Sequence, residues 1–185
     1  LFRIGFFVWF LSFECHLCKW APQPCPCGYY NHPTKDCVCA PGMVLKYLNK
    51  ISGPLLDRID IHLEVVPVPF KKLSELNATE NSQSIRERVI KAREIQSERY
   101  RNMNGIFCNV QMSSRQIRDF VQLDKEGSSR LKGAMEKLGL SARAYDRILR
   151  VSRTIADLEA SENVQSDHLS EAIQYRSLDR DSWGG

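Results

Sequence analysis

Ile51-Ser52-Gly53-Pro54-Leu55-Leu56-Asp57-Arg58-Ile59-Asp60 joins a short apolar segment, an arginine flanked by Asp57 and Asp60, and the start of an alternating pattern. The alternation runs through Asp60-Ile61-His62-Leu63-Glu64-Val65, polar against apolar, with the period of two expected of a strand with one buried face. Pro67 and Pro69 end it, because proline cannot donate to a strand ladder. An arginine placed between a short helix and a strand can project outward, where its planar, permanently charged guanidinium suits phosphate oxygens. A surface salt bridge from Arg58 to Asp57 or Asp60 would use the same residue, and the spacing alone does not separate the two.

Upstream, Cys25-Pro26-Cys27 and Cys37-Val38-Cys39 form two C-x-C pairs separated by residues 28–36. Zinc favours four soft ligands in a tetrahedron, and each pair can present two thiolates if the backbone turns sharply, as Pro26 and Gly28 encourage. His32 in the intervening loop is a spare candidate. Such a site would have no open coordination position and would be structural. Two disulfides, or four free thiols in a loop, are the alternatives. Cys15 and Cys18 lack a second pair and Cys108 stands apart, so these are expected to be incidental thiols that behave as small apolar residues. The apolar run Ile4 to Phe13 is about half the ~20 residues a membrane-spanning helix needs and is not followed by a small-residue cleavage site. A buried strand is expected, with a signal core or an unnatural leader sequence as the alternative, and with the strand a cytoplasmic protein without membrane contact. If that strand lacks neighbours it is an aggregation hazard.

Downstream of Pro69 the chain becomes charged and helical in pattern. Ser84 with Glu87 forms a Ser-x-x-Glu box before a helix expected to reach about Met103, with Ile85, Val89, Ala92, Ile95 and Tyr100 on its buried face. Further helices are expected after Ser113 or Ser114, after Asp124, after Ser141 and after Ser166, with Gly139 separating the second and third. Ile148, Leu149, Val151, Ile155 and Leu158 should face the core, leaving Arg147, Arg150 and Arg153 on the polar face for DNA or a neighbouring subunit. Of the 185 residues 43% are hydrophobic and 26% charged, the balance of a soluble globular protein, and the net charge of +4 permits nucleic-acid contact without specifying it.

Ser52-Gly-Pro-Leu-Leu-Asp-Arg-Ile-Asp60 resembles the arginine-finger segment of the magnesium-chelatase-like AAA+ ATPases, in the ComM and YifB branch. Cys25-Pro-Cys-Gly-Tyr-Tyr, His32-Pro-Thr-Lys and Cys37-x-Cys39 resemble that branch's cysteine loop, and Leu140-Ser-Ala-Arg-Ala-Tyr-Asp-Arg-Ile-Leu-Arg150 resembles its lid signature. The resemblance implies an α/β remnant of an AAA+ P-loop core followed by an all-α helical lid, mainly α overall. The corresponding divisions are residues 1–69 for the end of the core, 70–83 for a linker, 84–178 for the lid and 179–185 for a loose tail. It also implies that Arg58 is an arginine finger acting on ATP held by the neighbouring subunit, and that Arg143 is the sensor-2 arginine. Gln23 stands where the family carries a sensor-1 asparagine, and its extra methylene moves the amide beyond the tolerance of positioning chemistry, making it a degenerate sensor 1.

The implied protein is a homo-oligomeric ring, expected to be a hexamer, that uses ATP and Mg2+ and works on DNA in branch migration or translocation during recombination or transformation. The sequence contains no G-x-x-x-x-G-K-[ST] and no acidic pair ending a hydrophobic strand, so this chain alone is expected not to hydrolyse ATP. The competing expectation is a non-enzymatic, zinc-stabilised helical module that binds nucleic acid or protein.

Overall fold

The computed structural model describes residues 25–50, 52–63, 68 and 80–176. The chain divides into two compact units, of which the second is Ala78–Arg176. Helices dominate the described residues, and no strand occurs among them. Asp60 to Leu63 are irregular rather than extended into a ladder, while the rest of that expected strand and the Ile4–Phe13 run lie outside the described residues.

In the first unit, helix α1 spans Pro41–Leu48, with Pro41 at its start, where the missing N–H costs nothing. Its buried residues Val44 and Leu48 pack with Cys25, and Cys27, Tyr30, Cys37 and Cys39 close over them. Helix α2 is the single turn Gly53–Leu56. The Arg58 and Ile59 amides donate to Leu55 and Leu56, ending that turn, and His62 Nε2 sits 3.2 Å from the Leu56 carbonyl.

The second unit is a helical bundle. It contains α3 (Ser82–Arg99), a 3₁₀ turn at Asn109–Gln111, α4 (Ser114–Phe120), α5 (Lys125–Lys137), α6 (Ala142–Leu158) and α7 (Ser166–Gln174). Helix α6 is central, contacting α3, the 3₁₀ turn, α4 and α7, and α5 rests on α7. Tyr100, Met112, Ile117, Leu131, Ile148, Leu149, Val164 and Leu169 make up most of the core.

Three of the expected caps hold. Ser113, Asp124 and Ser141 each accept a backbone N–H through the side chain, and Ser113 forms a reciprocal box with Gln116. Two others move. Asn81, not Ser84, caps α3, its Oδ1 taking the Ser84 amide at 2.8 Å, while Ser84 Oγ donates to Glu80. At α7 the cap is Gln165 rather than Ser166, and its amide donates to His168 Nδ1 at 3.0 Å. That bond puts the ring proton on Nε2, which reaches Glu159 Oε2 at 2.9 Å.

Helix α3 ends at Arg99, earlier than the expected Met103. Its burial begins at Ala92 and continues through Gln96 and Tyr100, while Ile85 and Val89, expected in the core, are exposed together with Ile90. Gly139 has φ +57 and Leu140 donates to the Met135 carbonyl, the glycine-ended stop that separates α5 from α6.

Candidate functional site

The cysteine hairpin brings all four C-x-C sulfurs together, within 4.8 Å of one another. Cys25 Sγ lies 3.3 Å from Cys27 Sγ and 3.7 Å from Cys37 Sγ, and Cys27 and Cys37 are 3.5 Å apart. The backbone achieves this with two tight reversals. The Gly28 amide donates to the Cys25 carbonyl with Gly28 at φ 78, and the His32 amide donates to the Tyr29 carbonyl with Asn31 at φ 55. A residue with a Cβ is disfavoured at such φ, so Gly28 is a requirement of the first turn, and asparagine tolerates the second.

Backbone amides surround the sulfurs. The Tyr29 N–H is the main reason the Cys27 thiol is lowered to about 6, against burial, with the neighbouring cysteine thiols adding to it. The Cys39 N–H stabilises a thiolate at Cys37, but burial and the adjacent Cys27 and Cys25 sulfurs outweigh it and push that thiol up to about 12. Cys39, which receives the Cys27 N–H, is also raised, by burial and by the Cys27 and Cys25 sulfurs. One sulfur is thus poised to ionise first, as in any tight cluster of thiols in which successive negative charges repel.

His32, the spare ligand, is turned aside: its Nδ1 accepts from the Thr34 amide at 3.2 Å and its ring meets Tyr29 edge-on. Cys108 is buried against Gln111 in the other unit. Cys15, Cys18 and Gln23 lie outside the described residues. What sequence patterns missed is the support for the cluster, namely the amide donors and the Val44–Leu48 floor. The i, i+4 spacing of those two apolar residues just after Cys39 was the available signal.

The arginines separate into two kinds. Arg58, just past α2, and Arg143, in the first turn of α6, are exposed, and neither side chain has a partner among the described residues. Arg58 is not engaged by Asp57 or Asp60, each of which has another interaction. Arg150 and Arg153, expected on the polar face of α6, are instead committed to structure. Arg150 donates Nε and Nη2 to the Met112 carbonyl at 3.2 and 2.7 Å. Arg153 is 2% exposed, donates to the Glu162 and Ser161 carbonyls beyond the helix end, and pairs with Asp157 at 3.0 Å. Burial lowers its pKa and Asp157 partly restores it.

Asp157 also receives Arg99 through two bonds of 2.8 and 2.5 Å and the Asn109 amide at 2.8 Å. Asn109 Oδ1 in turn accepts from Tyr100 at 2.7 Å. This buried hub fastens α3 and the 3₁₀ turn to α6, so those residues are unavailable to nucleic acid or to a partner subunit. No helix among the described residues is long and apolar enough to cross a membrane.

Residues 79–176 match the family described as magnesium chelatase, subunit ChlI C-terminal, and residues 12–73 match magnesium chelatase, subunit ChlI. The second match begins at residue 12, ahead of Gln23. YifB of Escherichia coli is 40% identical over 163 residues, covering 86% of this chain and 30% of that protein. The competence protein ComM of Haemophilus influenzae is 40% identical over 161 residues, with the same 86% and 30% coverage. A Mycobacterium tuberculosis relative is 33% identical over 156 residues, 84% of this chain and 30% of its own length. This chain therefore spans about 30% of the length of these relatives. With both units matched in order and the arginine and cysteine strings inside the matched regions, the chain belongs to the magnesium-chelatase-like family, among the relatives of ComM and YifB.

Proposed function

We propose that this chain supplies the arginine-finger segment and the helical lid of a ring-forming AAA+ ATPase that acts on DNA. The first unit then carries the end of an α/β P-loop core, and the second, Ala78–Arg176, is the lid. Arg58 reaches from one subunit toward the ATP and Mg2+ of its neighbour, where it offsets charge growing on the transferred phosphoryl oxygens. A finger of this kind is preorganised only when the interface is assembled, which couples hydrolysis to ring formation. Arg143 contacts the nucleotide as sensor 2, and Gln23 is the degenerate sensor 1. The ring is a cytoplasmic homo-oligomer, taken as a hexamer. ComM is by name a competence protein, and the corresponding task here is DNA translocation or branch migration during transformation or recombination.

The observation that carries this is the partition of the arginines. Arg58 and Arg143 are exposed and uncommitted among the described residues, whereas Arg99, Arg150 and Arg153 are spent on the fold. The test is ATP turnover in mixed rings where full-length family subunits provide the nucleotide site and this chain provides the neighbouring face. Arg58→Ala should lower turnover at those interfaces by about 10³-fold or more, with assembly unchanged. Undiminished turnover in rings shown to contain the variant would refute the assignment. Arg143→Ala should raise the KM for ATP more than Arg115→Ala, an exposed arginine on α4.

A further inference from the structure

We infer that Cys25, Cys27, Cys37 and Cys39 bind one zinc ion as a closed, structural four-thiolate site. Zinc bound to four sulfurs at ~2.3 Å in a regular tetrahedron places the sulfurs about 3.8 Å apart. The sulfur separations here are 3.3, 3.5 and 3.7 Å, with all four sulfurs inside 4.8 Å. The three edges among Cys25, Cys27 and Cys37 are thus within about half an ångström of tetrahedral edges, and no edge to Cys39 exceeds 4.8 Å, so a cation can be accommodated by small shifts of the sulfurs. Three thiols packed this closely gain nothing from one another except weak S–H contacts, so a backbone that converges them is better matched to a cation than to free thiols.

Three further features favour zinc. The ligand set is all sulfur, which selects a soft or borderline cation and rejects magnesium and calcium. The Tyr29, Cys39 and Cys27 amides directed at Cys27, Cys37 and Cys39 are the donors that a doubly negative zinc–thiolate group needs around it. The ligands also lean on an apolar floor, Val44 and Leu48 of α1, which shields one side from water. Four protein ligands leave no position for water or substrate, so the ion has no part in hydrolysis. On binding, each thiol still protonated releases its proton to solvent and the sulfur lone pair goes to the metal, with no change of oxidation state. The site's work is to tie residues 25–39 to α1, the helix that leads through Lys50 to the Ser52–Arg58 segment. It does not depend on whether the ring acts on DNA.

The test is elemental analysis of the whole chain, purified reduced and without added metal, beside cobalt substitution. About one zinc per chain is expected, replaceable by Co2+ with the intense visible bands of tetrahedral cobalt–thiolate coordination. The Cys25, Cys27, Cys37 and Cys39 to Ser variant should hold no zinc, and Cys108→Ser should hold as much as the parent. Should the fourfold variant fail to fold, Cys39→His retains a ligand, and should keep the zinc while shifting the cobalt spectrum. A reduced chain with folded helices but no zinc would overturn the site, as would iron in its place. So would two disulfides in the chain isolated without reductant, read as a mass lower by four hydrogens than that of the reduced chain.

Discussion

Around the cysteine hairpin the buried apolar residues are Cys25, Val44 and Leu48, whereas the helical unit buries a continuous core from Tyr100 to Ala172 and locks it with a charged hub at Asp157. The contrast shows two ways of fixing an arginine in space. Arg143 is held by a helix whose Ala144, Ile148 and Leu149 are buried, so its position follows from ordinary packing. Arg58 follows a single turn of helix, and the described residues of its unit bury few apolar side chains around the cysteine hairpin; small scaffolds of that kind are commonly stapled by metal or disulfide. Removing the staple should therefore affect one unit, and removing the hub the other.

The largest effect is expected at the hub. Asp157→Ala leaves the buried Arg153 and the partly buried Arg99 without their shared carboxylate and Asn109 without an acceptor for one amide hydrogen. Breaking a buried pair in this way costs about 3–5 kcal/mol, read as a lower midpoint for loss of helical signal in denaturant. Zinc content should be unchanged, and a loss below about 1 kcal/mol would show that the hub is not what fastens α3 to α6. The converse experiment is chelation. Stripping zinc should abolish amide-exchange protection at the Gly28 and His32 turns and in α1 while leaving α6 and α7 protected. Equal loss in both units would mean that their stabilities are not separate. A smaller effect is expected from Ser113→Ala, which removes the box that starts α4 and should cost about 1 kcal/mol, confined to the helical unit.

The parts legible in the sequence were those fixed by short-range chemistry. Ser113, Asp124 and Ser141 announce their helices because each cap bonds an amide two or three residues ahead. The cysteines announce their cluster because both pairs have thiolates at fixed spacing. Ser84 misled because Asn81, three residues earlier, is an equally good cap and takes the Ser84 amide itself. Ile85 and Val89 misled because their period is right for burial, yet the bundle covers α3 only from Ala92 onward. The hub was invisible for a different reason. Arginines on an amphipathic helix read as solvated, and the partner that buries Arg99 lies 58 positions away. The one local sign was Asp157 at i+4 from Arg153, between residues that are themselves buried. The roles expected of Arg58 and Arg143 come from family resemblance alone, whereas their exposure without a partner among the described residues needed coordinates.

The smallest effects are expected where two helices of the bundle stop in the same manner with different residues. After α5, Gly139 has φ +57 and the Leu140 amide donates to the Met135 carbonyl at 3.0 Å. After α6, Ala160 has φ 55, its amide donates to Asp157 and the Ser161 amide donates to Ala156 at 2.8 Å. Both are Schellman-type endings with a left-handed residue just past the cap, a position that glycine occupies without steric cost. Gly139→Ala would meet no atom within 4 Å, so its penalty is backbone strain alone. That strain, about 1–2 kcal/mol, is partly offset by the reduced entropy of the unfolded chain, about 0.4–1 kcal/mol. A net loss of about 0.5–1 kcal/mol is expected. Ala160→Gly should show the opposite sign and similar size, because the strain is already present there and glycine relieves it. Denaturant midpoints of the two variants should therefore move in opposite directions with zinc content constant. If Ala160→Gly destabilises, the contacts of the alanine methyl group at the end of α6 outweigh its backbone strain, and this helix end is held by packing like the rest of its unit.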